Sequence, residues 1–236
     1  MSPSQRHSRF GDALSVDALI DAALAEDLGA GDVTSQMTVP EGAAGEAEIF
    51  AKATGVVAGV KVAAAVFRRF DPRLELEVDV ADGDAVVPGD RVLRVTGSLE
   101  SILGAERTAL NFLGRLSGIA TAARSFVDTL EGTGCRVLDT RKTTPGWRVL
   151  EKQAAASGGA VNHRAGLYDM VLIKENHIRS AGGVEPALAA SLGPARQAGL
   201  EVEIEVSDLG ELEQALAGET AEARPDRILL DNMSID

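Results

Sequence analysis

The sequence predicts an α/β protein of two domains: a small N-terminal α+β sandwich over residues 1–113, and an α/β barrel over residues 114–236. Two observations support this division. Before residue 98, short runs that alternate apolar with charged residues are separated by turn sequences, which is typical of an antiparallel sheet. After residue 114, apolar runs alternate with helical patterns, and such repeated βα units predict a parallel sheet.

The composition restricts the class of protein. Only 3% of the 236 residues are aromatic, so the core must consist largely of Ala, Val, Leu and Ile. The net charge of −13 argues against nucleic-acid binding, because a phosphate backbone attracts cationic partners. The single cysteine, Cys135, excludes an intrachain disulfide and suits a reducing compartment. We find no membrane span and no signal peptide, and therefore expect a cytoplasmic protein.

The N-terminal part is predicted to contain a short helix and a small sheet. Ser15 is a suitable N-cap, and Gly29 a suitable stop, for an amphipathic helix between them. The runs AEIF, LELEV and RVLRV are predicted strands, with ADGD and VPGD as turns. The segment KVAAAVFRRF is predicted to form a helix that lies on this sheet.

A longer helix is predicted after Ser98, over LESILGAERTALNFLGRLSG. Its buried stripe is predicted to consist of Leu99, Leu103, Leu110 and Leu113. Arg107 lies at the edge of this stripe. An arginine in such a position commonly packs its aliphatic stem on apolar surface and keeps its guanidinium in water.

Polar side chains follow five apolar runs of the second half, where a βα barrel would assemble its active site. In chain order they are Asp139, Arg141 and Lys142; His163 and Arg164; Lys174, Glu175, Asn176 and His177; Glu205; and Asp231 and Asn232. A polar site is therefore expected at this edge of the sheet. Neither a GxGxxG nor a Walker A sequence is present, and no HxH or HExxH motif indicates zinc.

Cations are concentrated around these strand ends. Between residues 136 and 179 there are eight Lys or Arg and four Asp or Glu residues, an excess of +4 in a chain of net charge −13. A local excess of cations is typical of a site for a small polyanion. We expect Arg148, Lys152 and Arg179 to be solvated helix cations, and the cations directly after apolar runs to be functional.

The strand LEVEIEV places Glu201, Glu203 and Glu205 on one face. Carboxylates that face a barrel interior need partners or a bound cation, whereas a half-exposed strand leaves them in water. The spacing does not decide between these alternatives. Glu205 with Asp231 could hold Mg²⁺, directly or through water, or accept hydrogen bonds from sugar hydroxyls.

The segment DTRKTTPGWRVLEKQAAASGGAVNHRAGLYDMVLIKENHI resembles the signature region of the quinolinate phosphoribosyltransferases, the carboxylating nicotinate-nucleotide pyrophosphorylases of NAD synthesis. The segments EDLGAGDVTS, ERTALNFLGRLSGIAT, EIEV and ILLDN resemble the same family in the same order. DTRKTTPG combined with NHR and LIKENH at these spacings is highly specific. The match extends from about residue 14 to the C-terminus.

This resemblance implies a reaction and a site. Quinolinate and phosphoribosyl pyrophosphate would give nicotinate mononucleotide, pyrophosphate and CO2, with Mg²⁺ as cofactor. By motif match, the residues that would bind quinolinate and the adjoining phosphates are Arg107, Arg141, His163, Arg164 and Lys174. The residues implied in catalysis are Lys142, which would contact phosphoribosyl pyrophosphate, and Glu205 and Asp231, which would contact the ribose hydroxyls and Mg²⁺. Family members are homodimers, and Arg107 would reach the partner's site instead of only covering its own helix.

The resemblance also implies that the barrel is C-terminally truncated here, because the family's barrel continues beyond ILLDN with phosphate-binding loops. An inactive homologue that only dimerises with a longer partner is therefore one alternative. Another is a paralogue, either a nicotinate phosphoribosyltransferase or the molybdenum-locus homologue, although intact NHR and DTRK motifs argue against it. The run DGDAVVPGDRVLRVTG has the rhythm of a biotinyl or lipoyl carrier hairpin, but it lacks the lysine that a carrier needs.

Overall fold

The structure of the chain is a computed structural model that describes residues 15–218, 220 and 223–234. The chain divides into two compact units, of which the first ends at His163 and the second begins at Arg164. One helix, Leu99–Thr129, runs without interruption through residue 114, where the sequence predicts a domain boundary.

The first unit contains two antiparallel sheets and five helices among its described residues. Strands β1 (Ala44–Phe50), β5 (Arg91–Ser98) and β3 (Glu75–Val78) form one sheet in that order, and β2 (Gly55–Val56) pairs with β4 (Ala85–Val86). The helices are α1 (Val16–Leu28), α2 (Val33–Thr38), α3 (Val60–Phe70), α4 (Leu99–Thr129) and α5 (Arg148–Ser157). The predicted α/β class and antiparallel N-terminal sheet are confirmed, whereas α2 was not predicted.

The helix boundaries follow local chemistry. The Ser15 hydroxyl accepts a hydrogen bond from the Ala18 amide at the start of α1, and Gly29 ends that helix, as predicted. The Ser98 hydroxyl accepts from the Ser101 amide at the start of α4. Both N-caps satisfy amide groups that a helix leaves without internal partners.

The predicted leucine stripe of α4 is correct only in part: Leu113 is buried, whereas Leu99 and Leu110 are half-buried. Leu103 is 45% exposed, and the buried residues of the helix are Ser101, Ile102, Gly104, Ala105, Thr108, Ala109, Phe112, Leu113, Leu116 and Ala120. Alanines and a glycine make up much of this face because α3, α4 and α5 pack closely. A Cβ on Gly158, for example, would lie 2.3 Å from the Ala120 carbonyl oxygen. The buried face therefore combines large residues such as Phe112 and Leu113 with small ones, and it excludes Leu103.

The second unit is a parallel sheet with helices. Strands β6 (Val171–Ile173), β7 (Val202–Val206) and β8 (Arg227–Leu230) form a sheet with β7 in the centre. The connecting helices are α6 (Glu175–Ala181), α7 (Val184–Gln197) and α8 (Leu209–Leu216). The predicted βα order is confirmed, and the short helix α6 is an addition to it. The core of this unit includes Val202, Ile204 and Val206, which are fully buried.

The predicted strands RVLD and AVNHR form only one parallel bridge, between Leu138 and Val161. The Val161 amide donates to the Val137 carbonyl at 2.8 Å, and the Asp139 amide donates to the Val161 carbonyl at 3.0 Å. The parallel direction agrees with the prediction. Among the residues that the structure describes, no helix combines the length and apolar character needed to cross a bilayer.

Candidate active site

The loop that follows Leu138 carries the first group of predicted site residues. The guanidinium Nε of Arg141 is buried and has no hydrogen-bond partner among the described residues. Lys142 is exposed, and its backbone amide donates to the Thr140 hydroxyl at 2.8 Å. A buried guanidinium nitrogen without an acceptor is costly, so Arg141 is suited to an anion that supplies one.

Just upstream of Arg141, Asp139 forms a buried ion pair. Lys152 Nζ lies 2.5 Å from Asp139 Oδ1, and the two side chains are 8% and 7% exposed. The prediction that Lys152 is a solvated helix cation is therefore wrong. Its position on the inner face of α5, among small alanines, buries it. The pair takes one cation and one anion out of this region, so the excess of +4 remains with the other charged residues.

The same ion pair holds the segment that contains His163. Asp139 Oδ1 accepts from the His163 amide at 2.7 Å, and Lys152 Nζ donates to the His163 carbonyl at 2.8 Å. With its nitrogen turned toward Asp139, the Asn162 side chain donates to Asp139 Oδ2 at 2.7 Å. Arg141 and His163, which are separated by 22 positions in the sequence numbering, therefore extend from segments held by one carboxylate.

A second buried carboxylate, that of Glu151, lies on α5, downstream of the loop. Glu151 accepts from Arg115 Nη2 at 2.6 Å and from the Thr144 amide at 3.1 Å. Burial alone would raise the pKa of the Glu151 carboxyl, but the hydrogen bonds from Arg115 and Thr144 outweigh it and hold the pKa below its ordinary value. Arg115 also lies over the Trp147 ring, 5.9 Å from its centroid. Sequence reasoning did not identify Glu151 or Arg115.

In the second unit, Lys174 and Glu205 meet at the carboxyl edge of the parallel sheet. Lys174 Nζ donates to Glu205 Oε2, and the side chains are 46% and 15% exposed. Lys174 directly follows Ile173, which pairs with Ile204 in the adjacent strand. Residues in register on adjacent parallel strands point to the same face of the sheet. Lys174 and Glu205 each follow one of these paired isoleucines, so their contact follows from the strand alignment.

Asp231 belongs to the same edge. Glu205 is in register with Leu229, and Asp231 lies two residues further along that strand direction, so it shares the face of Glu205. The Asp231 amide donates to the Val206 carbonyl at 2.9 Å, and Asn232 Nδ2 donates to Asp231 Oδ2 at 2.8 Å. Asn232 has a positive φ of 54°, which turns the chain sharply after Asp231.

The other two glutamates of LEVEIEV have different surroundings from Glu205. Glu203 is only 4% exposed, and Glu201 pairs with Arg227 across the sheet at 2.7 Å. Glu205 is thus the member of this glutamate series that lies at the strand's carboxyl end beside a lysine.

The remaining predicted residues differ in their surroundings. Arg164 Nη1 donates to the Met170 carbonyl at 3.4 Å. Arg107 is exposed on α4 and makes no hydrogen bond or ion pair with the described residues. His177 accepts a hydrogen bond from the Lys174 amide at 3.0 Å through Nδ1, which stabilises the first turn of α6. This role explains the histidine of LIKENH.

The carboxylates at the sheet edge can be compared with the needs of Mg²⁺. Among the described residues, no group of three or more His, Cys, Asp or Glu side chains is arranged to hold a metal ion. Mg²⁺, however, usually binds one or two carboxylates together with substrate phosphates and water. Glu205 and Asp231 match this requirement for one or two protein carboxylates.

Comparisons with known proteins identify the family. Two domain models match the chain: the quinolinate phosphoribosyl transferase N-terminal domain over residues 32–117, and the C-terminal domain over residues 119–236. A probable carboxylating nicotinate-nucleotide pyrophosphorylase of Synechocystis is 42% identical over 221 residues, which cover 94% of this chain and 72% of the relative. The chloroplastic enzyme of Arabidopsis thaliana is 44% identical over 222 residues, which cover 92% of this chain and 63% of the relative.

Solved structures agree with this assignment. NadC from Streptococcus pyogenes is 38% identical with a TM-score of 0.87, over 100% of this chain and 78% of that one. The nicotinate-nucleotide pyrophosphorylase from Francisella tularensis is 38% identical with a TM-score of 0.86, over 93% of this chain and 75% of that one. The predicted family and enzyme class are confirmed: this chain belongs to the quinolinate phosphoribosyltransferase family.

Proposed function

We propose that this chain transfers the phosphoribosyl group of phosphoribosyl pyrophosphate to the nitrogen of quinolinate and releases pyrophosphate and CO2, which leaves nicotinate mononucleotide. The observation that carries the proposal is the buried Arg141 Nε without an acceptor, in a chain that matches both domains of the family. An anion with planar oxygens, such as a ring carboxylate, satisfies a guanidinium of this kind.

Quinolinate carries two carboxylates on adjacent ring carbons, and it needs cations spaced to match. Arg141 supplies a planar guanidinium that can donate two parallel hydrogen bonds to one carboxylate. Arg164, His163 and Lys174 are the further donors proposed for the dicarboxylate and the neighbouring phosphates. A set of cations of this kind would select a dianion over nicotinate, which has only one carboxylate, because one cation would then lack its counter-charge.

Loss of pyrophosphate builds positive charge on the ribose ring as the bond to C1 breaks. Glu205 and Asp231 share one face at the sheet edge and are proposed to accept hydrogen bonds from the ribose hydroxyls and to stabilise that charge. Lys142 is exposed and is proposed to bind the phosphates that leave. Lys174 pairs with Glu205 and thereby orients that carboxylate.

Mg²⁺ is the proposed cofactor, held by Glu205 and Asp231, directly or through water. When bound, it would offset the negative charge of the departing pyrophosphate.

Decarboxylation follows from the first step and uses no additional protein group. Once the ring nitrogen carries the ribose, it is cationic and stabilises the electron pair that CO2 leaves on the adjacent carbon, which then takes up a proton. The residues that bind the carboxylates contribute by holding the ring in place and by excluding water from it.

We further propose a homodimer in which Arg107 reaches the site of the partner subunit. Support comes from an apolar groove of about 650 Å³ in the first unit, which is lined by β1, β2 and one face of α4. Leu110 and Gly114 of α4 line it, and Arg107 is one helical turn before Leu110 on the same helix. The α/β barrel architecture of the second half and the cytoplasmic location also belong to this proposal.

The proposal is tested by incubating the chain with phosphoribosyl pyrophosphate, Mg²⁺ and either quinolinate or nicotinate, and measuring nicotinate mononucleotide by mass spectrometry. We expect product from quinolinate and at least about 100-fold less from nicotinate, since an unpaired buried charge costs several kcal/mol. Equal use of both acids would instead indicate a nicotinate phosphoribosyltransferase. Absence of product from either would contradict the proposed activity of this chain.

A further inference from the structure

We propose that Glu151 and Lys152, two consecutive residues of α5, position the substrate-binding loop by holding it at both ends. The loop consists of residues 139–144 and carries Arg141 and Lys142 between its two fixed ends. Glu151 and Lys152 are positioning residues, because neither is proposed to touch a substrate. This inference rests on the proposed function, since it concerns the same loop.

The upstream end is held by Lys152. Its ammonium lies 2.5 Å from Asp139 Oδ1 and donates to the His163 carbonyl at 2.8 Å, while Asp139 also accepts from the His163 amide. Asn162 adds a donor to the other oxygen of Asp139. Both carboxylate oxygens and the ammonium therefore have partners, which is the condition under which a buried ion pair is tolerated.

The downstream end is held by Glu151. One of its oxygens accepts from the Thr144 amide at 3.1 Å, and the other accepts from Arg115 Nη2 at 2.6 Å and Nε at 3.1 Å. Arg115 in turn donates to the Thr144 hydroxyl at 2.5 Å. Thr144 is thus fixed through its backbone and its side chain.

The two anchors are rigid for a common reason. Their neighbours on α5, Leu150 and Ala154, belong to the core of the first unit. Just before the helix, Trp147 stacks on Phe112 with ring centroids 4.7 Å apart. The helix that carries both anchors is therefore held by apolar contacts that are independent of the ion pairs.

The energetics favour a positioning role over a stabilising one. A buried ion pair gains little net stability relative to apolar residues of the same size, because both charges lose their hydration. Here the buried side chains of Glu151 and Lys152 bind the two ends of one loop, at Thr144 and at Asp139 respectively. A fixed loop keeps Arg141 near the orientation that a carboxylate needs, and loss of such positioning weakens binding even when the binding residue is intact.

The test uses the full chain with Lys152→Met and Glu151→Gln, and Val66→Ala as a matched control. Val66 is fully buried in α3 of the same unit and lies outside the loop. Calorimetry measures the Kd for quinolinate, and hydrogen exchange measures protection of residues 139–147. For Lys152→Met and Glu151→Gln we expect a Kd for quinolinate at least tenfold higher than that of the wild type, with faster hydrogen exchange confined to residues 139–147. Val66→Ala lowers the melting temperature but leaves Kd within twofold.

The two readouts separate this inference from the proposed function. If the wild-type chain does not bind quinolinate, the proposed function fails. The exchange data alone then decide whether Glu151 and Lys152 hold the loop. If the wild type binds quinolinate and both variants match it in Kd and in exchange, the positioning role is overturned. Should Lys152→Met fail to fold, Glu151→Gln decides, because its remaining oxygen still accepts from Arg115. Equal weakening by Val66→Ala would reduce the effect to general stability and would also overturn the inference.

Discussion

At the scale of single residues, Arg141 is a cation whose charge is not offset inside an acidic chain. Neighbouring Lys152 is neutralised by Asp139 and Arg115 by Glu151, whereas Arg141 has a buried nitrogen without an acceptor among the described residues. Lys152 and Arg115, which are paired within the fold, can thus be distinguished from Arg141, which has a guanidinium nitrogen available for a ligand.

Replacing Arg141 with Ala should raise the Kd for quinolinate roughly 30-fold or more, because loss of a charge-assisted hydrogen-bonding partner costs about 2–5 kcal/mol. Isothermal titration calorimetry measures this. Arg179→Ala is the matched control, because Arg179 is exposed on α6 and bonds to Asn176 within its own helix. An unchanged Kd for Arg141→Ala would remove this residue from the site.

Asp71 provides a prediction of pH dependence. The carboxylate is buried and accepts from the Arg73 side chain, the Arg73 amide and the Ser101 hydroxyl, which together hold its pKa well below its ordinary value. A depressed folded pKa stabilises the protein above the unfolded pKa of about 4, and this contribution is lost as the pH falls toward the folded pKa. In the unfolded chain, Asp71 takes up its proton first, so stability falls with falling pH.

We therefore expect Asp71→Asn to lower the urea midpoint at pH 7 and to converge on the wild type as the pH falls below about 4. Urea unfolding at a series of pH values measures the difference, and all other carboxylates cancel in it. A difference that stays constant from pH 7 to pH 3 would be inconsistent with the role assigned to this carboxylate.

The sequence could predict the position of the functional cations but not which of them are neutralised. Arg141 and Lys142 follow an apolar run, and that pattern is visible in the sequence. Lys152 lies in a helix among alanines, and its burial depends on how closely α5 approaches the Asp139 loop. This approach depends on how the chain between Asp139 and Lys152 folds back, which periodicity alone does not report.

At the scale of elements, α4 organises the first unit. It packs against α3, α5 and β2, and it starts at the end of β5 with Ser98 as N-cap. Its start could be predicted because capping is local chemistry. Its buried face could be predicted only in part, because Ala, Gly and Thr between its large residues carry little hydrophobic signal, whereas the exposed Leu103 carries a strong one.

Ser98→Ala should lower the free energy of unfolding by about 1 kcal/mol, the usual contribution of an N-cap hydroxyl. Denaturant unfolding measures the change. Ser125→Ala in the same helix is the control: Ser125 is exposed, its hydroxyl bonds only to the Ala122 carbonyl, and we expect a change within about 0.5 kcal/mol. Equal changes for the two variants would show that the cap contributes nothing specific.

At the scale of the whole molecule, the proposed homodimer assigns Arg107 to the partner's site. Arg107→Ala and Lys174→Ala should each be inactive alone. In a mixture that exchanges subunits, about half of the dimers are mixed and each contains one complete site, so about a quarter of the wild-type activity should return. A mixture that stays inactive while native mass spectrometry shows mixed dimers would place Arg107 in the site of its own subunit.

The central claim is that this chain decarboxylates quinolinate only after transferring the phosphoribosyl group to it. The most direct measurement is release of labelled CO2 from quinolinate labelled in its 2-carboxylate, with and without phosphoribosyl pyrophosphate. We predict release that requires phosphoribosyl pyrophosphate and Mg²⁺ and falls by at least about tenfold in Arg141→Ala. Release without phosphoribosyl pyrophosphate, or no release by the wild-type chain, would contradict the account.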